Sequence, residues 1–438
     1  MVVAGRAVGG VLAAIVGRER LREDDAARAG AAVDGVVPRF VVRPGSLEQV
    51  SGVVALAHDA GLAVVPRGSG SSLELGRPPV RVDVVLDLGD LDQVLEWSPD
   101  DLTVSVQAGV TAGALAGRLA TRRQLLPVDP PGAATRTLGG LVATAASGPS
   151  RARYGTLRDL LLGVRFVQAD GAVTWGGAKV VKSVSGYDVP KLMVGALGTL
   201  GLLVELTFRL HPMPESEATW LVRCRDAAGA QRFVDALLGS AIQPTRVELL
   251  NCAVLDACAL PVGAAAVAVA LGTVEAAVRA QGEALVGVAR GTGAEAAPET
   301  RGFWEGYARA FETAGGARLR VATLVSAVGA TLLEVERAVG DLAPGIEPRV
   351  GGCAAVGTLH VALAGIGPAP AQALVERLRG FVAPRGGSVV VEAGPRALRE
   401  AVDPWGPVAP GPFALMRKLK DEFDPGRVLN PGRFVGGL

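Results

Sequence analysis

The stretch that most constrains this chain is Pro66 to Ser72, "PRGSGSS". It follows the apolar run Ala63-Val64-Val65 and precedes the acidic-aliphatic segment Val82 to Leu88. Both flanks read as strands, so the loop turns at a strand end. Two glycines and three serines permit positive φ and a close approach of the backbone. Successive N–H groups in such a loop can converge on an anion, and a phosphate is the natural guest. Taken alone, the loop reads more simply as a strand-to-strand turn. It is neither GxGxxG nor GxxxxGK[ST], so neither of those nucleotide fingerprints applies.

The neighbouring segments give the loop an αβ setting. Ser46 is a good N-cap for a helix with Leu47, Val50, Val53, Val54 and Ala57 at helical spacing, and Gly61 ends it. Strands are expected at "LAVVP", at 82–88 and at Leu102 to Val110, then a helix over "TAGALAGRLATRR". The alternation runs to about His211. "HPMPESEA" (211–218) is polar and Pro-rich and reads as a linker. Beyond it, strands are expected at "TWLVRCRD", "RVELLN", "AAAVAVAL", "GTLHVALAGI" and "SVVVEAG". Helices through Phe233 to Leu238, near 274–289 and near 327–340 should cover one side of their sheet. That is an α+β arrangement. A last helix stops at Asp424-Pro425, followed by an extended tail. No internal repeat or low-complexity tract stands out.

Composition removes several classes. A chain of 438 residues suggests two or three domains, and 49% hydrophobic residues are too many for disorder. A net charge of +1, from 44 basic and 43 acidic residues, gives no basic excess for nucleic acid. Cys224, Cys252, Cys258 and Cys353 form no CxxC pair. The pattern offers neither an iron–sulfur cluster nor a four-cysteine zinc site, and it fits reduced thiols in the cytoplasm. The first 25 residues read as a short helix rather than a signal peptide, and no stretch is apolar enough to span a membrane.

Two more segments bear on the glycine loop. Pro127 to Gly155, "PVDPPGAATRTLGGLVATAASGPSRARYG", combines paired prolines, a glycine turn and a run of small residues. Such a run offers a flat backbone surface for a planar ring, or simply tight helix–sheet packing. Lys179 to Leu210 sets Gly195, Gly198 and Gly201 around a turn ahead of a strand. The three segments, in this order, resemble the FAD-binding domain of the vanillyl-alcohol oxidase type. "KSVSGYDVPKLMVGALGTLGLL" and the tail "LKDEFDPGRVLNPGRF" are similar to the FAD-binding subunit family (GlcE type) of bacterial glycolate oxidase.

The resemblance implies a PCMH-type FAD-binding domain over about 1–213, an antiparallel-sheet cap over 214–399, and a segment 400–438 returning to the FAD domain. It implies that Arg67, Gly68, Ser69, Gly70, Ser71 and Ser72 cradle the FAD pyrophosphate. Pro130, Pro131, Thr137, Gly139, Gly140, Ala143, Thr144, Ser147 and Gly148 would line the dinucleotide and its ring, with Tyr154 and Gly155 supporting that loop. Gly198, Thr199 and Leu203 would lie near the adenine, and Asn430 would return toward the flavin. Relatives that attach FAD covalently do so through a histidine in the glycine loop. "GSGSSL" has neither histidine nor cysteine, so the expectation is non-covalent FAD.

The same resemblance shows a departure. Relatives that oxidise D-2-hydroxy acids carry HxGDGNxH and, later, EHG, whose histidines bind a metal. Here the corresponding stretches are "CAAVGTLH" (353–360) and "VEAGP" (391–395), so only His360 remains. One imidazole makes no such metal site. His360 is the candidate catalytic residue, although a structural histidine on a strand is the plainer reading; His58 and His211 read as structural.

Three classes follow. The chain is the subunit of a glycolate oxidase complex that holds a second flavin for electron transfer, beside a homologous, histidine-complete flavoprotein that oxidises glycolate and an iron–sulfur subunit, touching a membrane only peripherally. Or it is a stand-alone FAD oxidoreductase of a small hydroxy acid or alcohol, with Arg246, Glu248, Asn251, Arg349 and Arg396 as candidate polar groups that otherwise read as solvated surface. Or it is a scaffold with a vestigial flavin fold, against which the intact glycine segments weigh.

Overall fold

The computed structural model describes residues 5–178, 186–261, 263–299, 302–312 and 315–438. The part Lys179 to Ser185 of the third glycine-bearing segment lies outside them. The N-terminal helix spans Gly5–Val16. The Ser46-capped helix spans Leu47–Ala60, with the Ser46 hydroxyl accepting from the Gln49 amide and Gly61 at φ 64° closing it.

Two sheets form the first part of the chain. In the smaller, Val84–Asp87 lies between Phe40–Val42 and Val64–Arg67, parallel to both. The loop Gly68 to Ser72 leaves the end of Val64–Arg67. The second sheet is antiparallel, in the order Val94–Ser98, Thr103–Gln107, Leu202–Arg209, Leu161–Val167, Val173–Gly177. The stretch read as a linker is partly strand. His211–Pro212 pairs with Gln124–Leu125, and Ser216–Cys224 is a full strand of the next sheet. A two-residue edge ribbon tolerates a proline, which only removes a donor.

The cap is one eight-stranded antiparallel sheet. Its order is Glu295–Glu299, Ser216–Cys224, Ala265–Thr273, Arg246–Asn251, Arg349–Cys353, Thr358–Leu363, Ala317–Ala322, Ser388–Ala393. Side chains alternate across a strand. Val247, Leu249, Leu319, Val321, Leu359, Val361, Val389 and Val391 therefore point together into the main cap core. The helices Ala227–Leu238, Glu275–Gly291, Val328–Leu342 and Pro368–Val382 bury their apolar stripes against that face. The expectation of helices on one side is thus incomplete. Cys252–Ala257 and Phe303–Ala310 pack on the opposite face, over Leu250, Ala266, Ala268 and Ala362.

The C-terminal segment returns to the first sheet. The Val64 amide donates to the Val428 carbonyl and the Asn430 amide to the Val64 carbonyl, both at 2.8 Å. A buried ion pair holds this return. Lys420 Nζ lies 2.6 Å from Asp424 and also donates to the carbonyls of Thr199 and Leu429. Asp424 accepts from the amides of Val428 and Leu429. Burial lowers the Lys420 pKa, and the Asp424 charge opposes that. Removing one member strands the other in a dry site, at a cost of about 3–5 kcal/mol. Asp424→Ala should lower the urea midpoint of the chain by that equivalent with the transition slope unchanged.

Candidate functional site

A groove runs between the two sheets, and a cavity of about 320 Å³ opens from it beneath the cap. The groove is lined by Arg67, Gly68, Ser69, Gly70, Ser71 and Ser72, by Thr137, Gly139, Gly140, Ala143 and Thr144, and by Gly198, Leu203 and Asn430. Ser71, Ser72 and Thr144 also face the cavity, where they meet Pro130, Pro131, Ser147 and His360. Three separated stretches of sequence and the C-terminal return therefore build one continuous space.

Local geometry explains the residue types. Gly70 sits at φ 78°, in the left-handed region. A Cβ on Gly68 would lie 2.0 Å from the Thr137 hydroxyl, and one on Gly139 would lie 2.7 Å from the Ala108 Cβ. The Thr137 hydroxyl caps the helix Leu138–Ala143 by accepting from the Gly140 amide. The backbone amides of Gly68, Ser69, Gly70, Ser71 and Ser72 find no acceptor among the described residues. Buried Asn430 Oδ1 is also unpartnered there, while its Nδ2 donates to the Leu197 carbonyl at 2.6 Å. A cradle of bare N–H groups suits a phosphate-bearing cofactor. The Arg67 guanidinium is committed to Asp87 at 2.7 Å, so that residue offers the loop its main chain only.

Three of the expected contacts lie elsewhere. The Tyr154 ring meets His211 edge-on at 4.9 Å, and Gly155 abuts the Asp159 carboxylate that closes the Thr156 capping box. Thr199 is buried with its hydroxyl on the Ala196 carbonyl, and it lines a separate apolar pocket with Leu200 and Leu419. None of the three faces the groove or the cavity. Gly148 lies close against Asp129, in a narrow side pocket with Glu248.

The roof of the cavity was not legible beforehand. Arg318 and Arg320 stand two apart on one strand, so both face away from the core. Arg320 lies opposite His360 in register. Glu392 is the extra residue of a bulge, since Arg318 pairs with Ala393 and Leu319 with Val391. Arg320 Nε lies 3.0 Å from Glu392, and His360 Nδ1 lies 3.7 Å from it. Burial alone would raise the Glu392 pKa, but His360, Arg320 and Arg318 outweigh it and hold it at about 2. Arg136 joins from below, donating to the Ser72 hydroxyl at 2.9 Å with its buried Nε unpartnered. Burial lowers its pKa, and Glu392 opposes this. The Arg318 side chain makes no hydrogen bond or ion pair among the described residues. The signal was "ARLRVA": two arginines on one face of an otherwise apolar strand.

The earlier candidates do other work. Arg246 spans cap and FAD domain, pairing with Asp129 at 3.1 Å and Glu217 at 2.7 Å and lying over the Trp304 ring. Asn251 is buried as a helix cap, Arg349 donates to the Ala310 carbonyl, and Arg396 pairs with Glu400. Glu248 is buried rather than solvated. No group of three His, Cys, Asp or Glu side chains able to hold a metal occurs among the described residues, and no helix there is long and apolar enough to cross a membrane.

Residues 38–177 match the family described as FAD binding domain, and residues 402–434 match the C-terminal domain of FAD linked oxidases. The family match gives FAD as the cofactor, and the fold is the PCMH-type FAD-binding fold. Among curated relatives, the probable mitochondrial D-lactate dehydrogenase of Danio rerio is 34% identical over 224 residues, covering 50% of this chain and 45% of that protein. Glycolate oxidase subunit GlcD of Bacillus subtilis is 31% identical over 215 residues, 49% of this chain and 46% of that one. D-2-hydroxyglutarate dehydrogenase of Xanthomonas citri pv. viticola is 36% identical over 185 residues, 42% and 39% of the two chains. The matched stretch thus spans under half the length of each. Among solved structures, p-cresol methylhydroxylase gives a TM-score of 0.79 at 17% identity, over 98% of this chain and 96% of that one. Alkyldihydroxyacetonephosphate synthase gives 0.73 at 17% identity, over 98% and 85%.

Gly70→Asp should abolish FAD binding, read as loss of the flavin visible spectrum in the purified chain, because a carboxylate would stand at the cradle. Gly70→Ala should keep FAD and cost only about 1–2 kcal/mol of backbone strain. A second expectation concerns pH. The Glu392 pKa lies below its ordinary value, so the stabilisation from this carboxylate is complete above about pH 4.5 and is lost as pH falls toward 2. Glu392→Gln should flatten the acid side of the stability profile, measured as urea midpoints at pH 3 and pH 6.

Proposed function

We propose that this chain is an FAD-dependent oxidoreductase of small 2-hydroxy acids, glycolate first among them, that takes its substrate in the arginine-roofed cavity. The observation that carries the reading is the continuity of the bare-amide groove with a cavity holding Arg136, Arg318, Arg320 and His360. Arg67 to Ser72 would hold the pyrophosphate by main-chain donors, and Thr137 to Thr144 would face the ring; no histidine or cysteine in that loop offers a covalent link. Bound FAD supplies a two-electron acceptor for the hydrogen on the α-carbon. Arg318 is free to take the substrate carboxylate, a charge-assisted contact that Arg136 can join. The names of the relatives, which include lactate, glycolate and 2-hydroxyglutarate enzymes, support the substrate class. In this reading the chain is the GlcE-type subunit of a glycolate-oxidising complex, with a histidine-complete flavoprotein and an iron–sulfur subunit as partners.

A second reading makes the flavin an electron relay whose substrate is oxidised on the partner. One observation favours it: His360 is the cavity's single histidine, so the metal site of hydroxy-acid relatives has no counterpart among the described residues. Anaerobic addition of glycolate or D-lactate to the purified holoprotein separates the two. Bleaching of the flavin is expected under the first reading, and Arg318→Met should then raise the substrate concentration for half-maximal rate by about 10- to 100-fold. A flavin left oxidised by both acids would select the relay.

A further inference from the structure

A narrow pocket of about 20 Å³ adjoins the arginine-roofed cavity, and the two share Pro131, Ser147, Phe311 and His360. It has room for about one water molecule. Its inner wall is Glu248, which is 2% exposed. Glu248 lies on Arg246–Asn251, directly opposite Cys353. Its Oε2 accepts from the Tyr307 hydroxyl of the helix Phe303–Ala310. Its Oε1 is buried and has no partner among the described residues.

The charges around Glu248 come from every packed element. Tyr307 approaches from the helix, Cys353 from the next strand, Arg151 from the short helix Arg151–Tyr154 and Asp129 from the loop after Gln124–Leu125. His360 closes the cavity side. Burial pushes the Glu248 pKa up to about 8; the Tyr307 hydrogen bond, Arg151 and Cys353 pull down, and Asp129 pushes up. Arg246, two residues away on the same face, is taken by Asp129 and Glu217. A neutral carboxyl that accepts on Oε2 carries its proton on Oε1, the atom left bare. A purely structural role gives no reason for that bare oxygen, since a leucine would fill the space without a polar atom to desolvate.

We propose that Glu248 exchanges a proton with the ligand of the arginine-roofed cavity, across the pocket walled by His360. As the carboxylate it takes the hydroxyl proton of a bound 2-hydroxy acid. The O–H electron pair would become part of the new carbonyl, bound FAD would supply the acceptor for the α-hydrogen and its electron pair, and the proton would end on Oε1. This rests on the reading that the chain oxidises the acid itself. The operating window suits the task, because an acid–base group works best with a pKa near ambient pH.

Two readouts on the holoprotein test it. Infrared difference spectra without substrate should show a carboxylic-acid carbonyl band that disappears as pH rises through about 8 and is missing in Glu248→Gln. Tyr307→Phe, which removes a donor to the carboxylate, should move that loss to higher pH. Anaerobic flavin reduction by glycolate should speed up through the same pH range. Glu248→Gln should remove that rise and slow reduction by about 100-fold or more with FAD occupancy intact. A band that persists in Glu248→Gln, or a pH rise that survives in it, overturns the proposal. A flavin that glycolate and D-lactate leave oxidised at every pH, with the infrared titration present, overturns the substrate reading and leaves Glu248 as the proton holder.

Discussion

The structure depends on the two-residue repeat of the cap strands. In an antiparallel sheet every second side chain must leave the core. Four helices cover one face, so odd-numbered valines and leucines of Arg246–Asn251, Ala317–Ala322, Thr358–Leu363 and Ser388–Ala393 fill the space beneath them. The even-numbered positions then face the FAD domain and the two helices Cys252–Ala257 and Phe303–Ala310. Arg246, Glu248, Arg318, Arg320, His360 and Glu392 all stand on that side. A slip of one residue in any strand would bury charge in the core and expose its valines, so register and site chemistry are set together.

The two faces of the space are held by different means. Below, backbone amides and small residues make a surface that takes its polarity from the main chain. Above, ionised side chains compensate one another, with Glu392 shared between Arg320 and His360. Arg246 fastens the two halves at one margin through Asp129 and Ser150. The buried contact of Arg399 with Asp34 does the same at the far margin. Both fasteners join residues distant in sequence, so the width of the cavity is set by tertiary contacts and not by a hinge loop.

Local signals were legible and lateral ones were not. Ser46 with Gly61, Thr111 before its helix, and the glycine loop after Val64–Arg67 each declare themselves within a few residues, because caps and turns are local chemistry. The proline-rich stretch at 211–218 misled, since prolines on an edge ribbon look the same as prolines in a linker. Phe303–Ala310 went unseen, and with it the hydroxyl that meets Glu248. Arg318 and Arg320 were passed over because their meaning depends on which strand lies alongside, and that pairing spans some forty residues to Thr358–Leu363. Thr199, Tyr154 and Gly155 belong to the right segments, but the side chains of Thr199 and Tyr154 turn to Ala196 and His211, and the Gly155 backbone abuts Asp159.

The return of Val428 and Asn430 to Val64 has a consequence for synthesis. The glycine loop is made early, yet the backbone that pairs beside it and the amide that lines its groove come more than three hundred residues later. The groove is therefore complete only once residue 430 has left the ribosome tunnel. A chain broken anywhere in the cap would hold the cradle sequence and still lack one wall of the groove. The groove thus reports the completeness of each molecule: it closes only in chains whose two distant stretches have met.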